Sequence, residues 1–220
     1  MLMDTAALVD ELRRAHGAHT VILYGSRARG DATPESDIDV ACFADVPETY
    51  RDARLWEGLF LDGFIHPTAT AEQHVTDEMC KLSGGRILLD ERTLAGPLLE
   101  RIDAFERQPV ARLPETEQRM RRVWAQKMVA RVRRGDVEAN YRYHWLLFQL
   151  LEDHYPMMGR RYPGPKRAFA DLAARDPATF TAFESALVPG ARFDAVEGLV
   201  TYLDDLYEKM ADEPGGDEHG

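Results

Sequence analysis

Two neighbouring stretches combine residue types suited to phosphate and metal chemistry. Leu23-Tyr24-Gly25-Ser26-Arg27-Ala28-Arg29-Gly30-Asp31 is followed by Ser36-Asp37-Ile38-Asp39-Val40. In the first, an apolar run ends in Gly-Ser and turns into a short helix. Such a turn aims free backbone N–H groups and the Ser26 hydroxyl at one point, where a phosphate can sit. Gly25 has no side chain to hold the phosphate off the backbone, and Arg29 adds a planar charged donor, unless it bridges Asp31 or Glu35 instead. In the second stretch the two-residue period of a strand sends Asp37 and Asp39 to one face and Ile38 and Val40 into the apolar layer. Adjacent carboxylates repel unless a cation lies between them. Mg²⁺ suits, because it takes hard oxygen ligands at about 2.0–2.1 Å and keeps positions for water and triphosphate oxygens. Asp62 is the candidate third ligand of a two-ion site. It interrupts Leu59-Phe60-Leu61-Asp62-Gly63-Phe64-Ile65, where a buried carboxylate without a cation is costly. Taken singly, these are an ordinary turn, a solvated strand entrance and an edge acid; their combination favours a site.

Gly25-Ser26-Arg27-Ala28-Arg29-Gly30 with Ser36 and Asp37-x-Asp39 resembles the signature of the DNA polymerase β nucleotidyltransferase superfamily. The resemblance implies triphosphate binding by Gly25 and Ser26, and two Mg²⁺ ions held by Asp37, Asp39 and Asp62, the catalytic aspartates. It also implies transfer of a nucleoside monophosphate from ATP, or another nucleoside triphosphate, to a hydroxyl. The similarity covers residues 18–92, where Arg86-Ile87-Leu88-Leu89-Asp90 resembles a late strand of the small bacterial members. Beyond it the layout is similar to the aminoglycoside nucleotidyltransferases of the kanamycin type. That similarity implies a lysine near the triphosphate, for which Lys127 is the nearest candidate, and a glutamate as general base. The equivalent neighbourhood holds Val123, so Glu138 on the next helix is the substitute. Lys166, beside Arg167 at an expected helix start, would be relieved by a bound phosphate, since the helix dipole disfavours cations there. Lys127 and Lys166 also read as solvated helix residues, and Glu138 as a complement to the dipole. For His144 and His154, among Tyr141, Tyr143, Trp145 and Phe148, packing is the default, although the same aromatic and acidic cluster suits a cationic acceptor.

The elements that position these residues fall into two kinds. Up to about residue 107, apolar spacing predicts helices over 3–16, 48–55, 72–82 and 92–107, with strands at 21–24, 38–43, 58–66 and 86–89. After Gln108-Pro109 only helices are expected, over 115–134, 137–154, 166–175, 177–187 and 193–210, separated by Gly- or Pro-bearing joints. The expected fold class is therefore α+β. A mixed-sheet catalytic domain (1–108) precedes a helical substrate-binding domain (109–211), with the active site in the cleft between them. The tail 212–220 has no apolar anchor and reads as disordered.

Composition narrows the partners. The net charge of −11 opposes unspecific attraction to nucleic acid, and together with the length of 220 residues it argues against a template-copying polymerase. The acid excess lies in residues 1–105, with 10 Lys/Arg against 19 Asp/Glu, so a small hydroxylated cationic acceptor such as an aminoglycoside is the first expectation. The alternatives are a protein hydroxyl, as in antitoxin-type adenylyltransferases, and a module that binds nucleotide without catalysis; the presence of all three aspartates argues against the last. Related enzymes that share a cleft across a dimer leave a homodimer open. Cys42 and Cys80 lack metal-ligand spacing, Met1-Leu2-Met3-Asp4 is not a leader, and no apolar run approaches 18 residues, which together suggest a cytoplasmic protein without membrane contact.

Overall fold

The structure, a computed structural model, describes residues 3–212 and divides into two compact units, Met1–Gln108 and Pro109–Gly220. The tail expected to be disordered lies outside the described residues from 213 onward; Asp212, counted with it, closes the last helix.

The first unit begins with helix α1 (Thr5–His16), which the Asp4 carboxylate caps by accepting the N–H groups of Ala6 and Ala7. Strand β1 (Thr20–Tyr24) leads directly into the short helix α2 (Gly25–Arg29). Then come β2 (Ile38–Ala44), β3 (Tyr50–Trp56), β4 (Leu59–Pro67), two 3₁₀ segments (Thr68–Glu72 and Asp77–Leu82), β5 (Arg86–Asp90) and helix α3 (Ala95–Glu106). The five strands form one mixed sheet in the order β3-β4-β2-β1-β5, with β2 and β4 parallel and the other neighbours antiparallel.

Strand alternation splits the apolar residues of this unit between two faces. Leu8 and Leu12 of α1 pack on Val21, Leu23, Ile38, Val40, Leu61 and Ile65. On the other face Leu98 and Ile102 of α3, with Ala71 and Leu82 of the 3₁₀ segments, cover Ile22, Tyr24, Ala41 and Phe43. The Asp90 carboxylate accepts the N–H groups of Leu94 and Ala95, tying β5 to the start of α3.

Two expectations for this unit are corrected. Residues 48–55, expected as a helix, lie largely in β3. Glu57 and Gly58 both adopt positive φ, of 49° and 80°, between the paired Trp56 and Leu59. That two-residue turn has the twist a tight hairpin needs, and pairing with β4 overrides the helix-like spacing of a charged edge segment. Residues 72–82, also expected as a helix, form no α-helix: the two 3₁₀ segments bury only Ala71 and Leu82, which is too little apolar surface to hold a longer helix.

The second unit is all helical: α4 (Glu115–Val132), α5 (Val137–Met157), α6 (Pro165–Arg175), α7 (Pro177–Leu187) and α8 (Phe193–Asp212). Their inner faces share one core that includes Met128, Leu146, Leu150, Tyr155, Phe183, Leu199 and Leu203. Asp136 and Asp176 cap α5 and α7 through Ala139 N–H and Thr179 N–H. No helix among the described residues is long and apolar enough to cross a membrane.

Candidate active site

Pairing across the sheet sets three residues in one row: Tyr24 on β1 opposes Asp39 on β2, and Asp39 lies in register with Asp62 on β4. The row belongs to the face covered by α3 and the 3₁₀ segments, because Asp39 is two residues from Ala41 and Asp62 alternates with the buried Leu61 and Gly63. Asp37 lies just before β2 and is exposed.

Directly after Tyr24 the chain turns at Gly25, whose φ is +70°. A Cβ built there would lie 2.1 Å from Oδ2 of Asp39. Glycine is therefore required twice, once for the left-handed backbone and once so that the turn can press against the carboxylate. Arg27 fastens the same turn to the acidic stretch. Its Nε donates to the carbonyls of Ser36 and Asp37, each at 3.0 Å, and its Nη2 donates to Ser36 again. Ser26 sits in the first turn of α2, which no side chain caps, and its carbonyl accepts the N–H groups of Gly30 and Asp31. The sequence reading gave Arg27 no role of its own; its task as a clamp depends on the loop 30–37 folding back over α2, which spacing along the chain does not reveal.

The electrostatics of the row are unbalanced. Burial and the charges of Asp37 and Asp62 push the Asp39 pKa above the ordinary carboxylate range, with Arg29 and Lys81 opposing them. The Tyr24 hydroxyl is pushed up as well, by burial and then by Asp39 and Asp62. Asp62 differs, for Arg51 of β3 grips it with two bonds, Nε to Oδ1 at 2.6 Å and Nη2 to Oδ2 at 2.8 Å. Lys81 was not anticipated either. Its Nζ lies 3.8 Å from the centre of the Phe64 ring and 5.7 Å from that of Tyr24. Desolvation lowers its pKa, offset in part by Asp62, Glu78 and Asp39. In the sequence Lys81 is one lysine in a polar segment; only the return of the second 3₁₀ segment over the sheet brings it to the carboxylates.

Gly25, Ser26, Asp37, Asp39 and Asp62 thus gather around one end of the sheet, with Arg29 close enough to act on Asp39 while also forming a 3.5 Å ion pair with Asp31. The other candidates belong to the second unit. Glu138, in the first turn of α5, is paired with Arg142 at 2.5 Å and Arg134 at 3.4 Å, and its Arg142 hydrogen bond holds its pKa below the usual range, which weakens it as a proton acceptor. Lys127 is exposed on α4, and Lys166 is exposed beside Pro165 at the start of α6. Of the two histidines, His154 is buried with Nδ1 3.1 Å from the Tyr207 hydroxyl, and His144 is exposed.

The donor chemistry fits a divalent cation. Hard oxygens at 37 and 39, the like-charge strain on Asp39 and a glycine turn with space for only that carboxylate are features a cation would reconcile. Among the described residues no group of three or more His, Cys, Asp or Glu side chains is placed to hold a metal ion. Magnesium needs none, since it is usually bound through one or two carboxylates together with waters and substrate phosphates.

Residues 6–78 match the family model of the nucleotidyltransferase domain. The matched segment runs from α1 to the second 3₁₀ segment and contains Gly25, Ser26, Asp37, Asp39, Arg51 and Asp62, while Lys81 lies three residues beyond its end. Among solved structures, a nucleotidyltransferase-like protein from Exiguobacterium sibiricum is similar at 15% identity and a TM-score of 0.41, over 93% of this chain and 73% of that one. No curated protein matches.

Proposed function

We propose that the chain transfers a nucleoside monophosphate from a nucleoside triphosphate, with ATP as the first donor to test, onto a hydroxyl of a small cationic acceptor of aminoglycoside type. The observation that carries this reading is the contact between the Gly25 turn and the Asp39 carboxylate, which joins an anion-binding turn to an acid pair. The match over residues 6–78 supports the same class of reaction. Divalent cations held by Asp37 and Asp39, with Asp62 as the further ligand, would supply charge neutralisation for the triphosphate and acidify the attacking hydroxyl. The first-turn N–H groups of α2 and the Ser26 hydroxyl hold phosphate oxygens, while Arg29 and Lys81 oppose the remaining negative charge. Arg27 keeps the turn and the acids at a constant separation. Support for a cationic acceptor is the net charge of −11, with its acid excess in the first unit.

The test is pyrophosphate release from Mg-ATP over a panel of aminoglycosides and other amino-bearing polyols, with labelled ATP and cell lysate as the arm for a protein hydroxyl. Turnover with one panel member, lowered by about 100- to 1,000-fold in Asp39→Asn, is the expected result. Release that persists in the Asp37→Asn, Asp39→Asn double variant, or no transfer to any acceptor in either arm, would overturn the proposal.

A further inference from the structure

The edge strand β3 places a permanent cation on the acid row. Arg51 and Phe64 are register partners, and the guanidinium lies 5.6 Å from the Phe64 ring centre, so it reaches Asp62 diagonally from a regular strand position. Both Asp62 oxygens are bonded, in the fork geometry that makes arginine–carboxylate pairs specific. The two partners are unequally held: the Arg51 side chain is 53% exposed and that of Asp62 18%. The guanidinium can leave for water while the carboxylate stays.

We infer that Arg51 is an internal competitor for Asp62. The arginine neutralises this carboxylate, and a divalent ion gains it as a ligand only by displacing the guanidinium, so Arg51 sets how tightly the acid row binds divalent ions. Arg51 is a positioning residue in this scheme, acting through Asp62. The inference rests on the nucleotidyltransferase reading of Asp37 and Asp39. Lys81 provides the internal comparison, since its charge also reaches Asp62 and Asp39 but it lies over the Phe64 ring and hydrogen-bonds to neither carboxylate.

The experiment is Mn²⁺ binding to the full chain, followed by electron paramagnetic resonance of the free ion, without nucleotide. Arg51→Met should bind Mn²⁺ about 5- to 10-fold more tightly than the wild type. Arg51→Lys should fall between them, because an ammonium cannot span both carboxylate oxygens. Lys81→Met should tighten binding less than Arg51→Met does, because Lys81 bonds neither carboxylate, and the gain from Arg51→Met should vanish in an Asp62→Asn background. Equal tightening in Arg51→Met and Lys81→Met would reduce the effect to net charge and overturn the inference. So would an unchanged affinity in Arg51→Met when wild-type binding is lost in Asp37→Asn, Asp39→Asn, a result that leaves the reading of those two aspartates standing. Absence of Mn²⁺ binding in every variant would overturn both.

Discussion

Asp39 in the sheet unit and Asp171 in the helical unit are the same residue type, both partly buried, with opposite electrostatic fates. Around Asp171, burial works to raise the pKa, but hydrogen bonds from Arg160 and Tyr155 outweigh it and leave the carboxyl below its usual range. Around Asp39, burial is reinforced by Asp37 and Asp62 and the carboxyl is raised. The helical unit repeats its solution elsewhere: Asp153 receives Arg121 and Gln149, and Asp204 receives Arg122 and Gln126. A network in which each acid finds its own donor needs nothing from outside. A row in which two carboxylates share a register, with a guanidinium on only one of them, is suited to a cation that arrives with substrate. Under the proposed function, the contrast separates acids that hold a fold together from acids set up for chemistry.

The largest expected break in this comparison is Asp39→Asn, which should lower nucleotidyl transfer by about 100- to 1,000-fold while leaving the fold slightly more stable. The sign follows from the raised pKa: its favourable contribution is present below the unfolded value and lost as pH rises through the folded one, so at neutral pH the charged side chain is a liability. Removing it should add about 0.5 kcal/mol after allowance for solvent screening, measurable by denaturant melts of the metal-free protein. A stability loss instead would place Asp39 with the structural acids.

His154 provides the opposite pH response in the helical unit. Burial lowers its pKa to about 4, so the unfolded chain binds the extra proton throughout the window from about 6.5 to 4. Stability should therefore fall as pH falls through that window, by about 3 kcal/mol in total. Amide exchange of α5 and α8 between pH 7 and 4.5 would follow it, and His154→Leu should flatten the slope.

Gly25→Ala should cost about 2 kcal/mol, from the positive φ and the Asp39 contact together, and the cost should shrink in an Asp39→Ala background. Equal costs in both backgrounds would mean that the turn does not press on the carboxylate. The smallest effect is expected for Glu138→Gln. Since Arg142 already holds that carboxylate, transfer should change by less than about threefold; a collapse of the rate would identify Glu138 as the base.

Much of the candidate site was legible because its parts lie close together in sequence. Gly-Ser after an apolar run and Asp-x-Asp at a strand start are local patterns, and Asp62 stood out as a charge inside an apolar strand. The helical half was legible from its periodicity, with ends displaced by no more than three residues. What escaped was non-local. Strand β3 carries charge on both faces and has no helix- or strand-specific pattern strong enough to survive a short window, so the positive-φ turn at Glu57-Gly58 and its partner strand made the choice. Arg51 escaped with it, because a residue placed on a helix has no fixed relation to position 62.

The residue types and their short spacings determined the chemistry available to this chain: a glycine-serine turn, three carboxylates and an excess of acidic residues. Only the tertiary structure decided which charges meet, by aligning β2 with β4, hanging β3 on the edge and returning Lys81 over Phe64. The physical reason is range. Backbone preference and amphipathic period act over a few residues, whereas the field at a carboxylate depends on any charge within several ångströms, however distant it is along the chain.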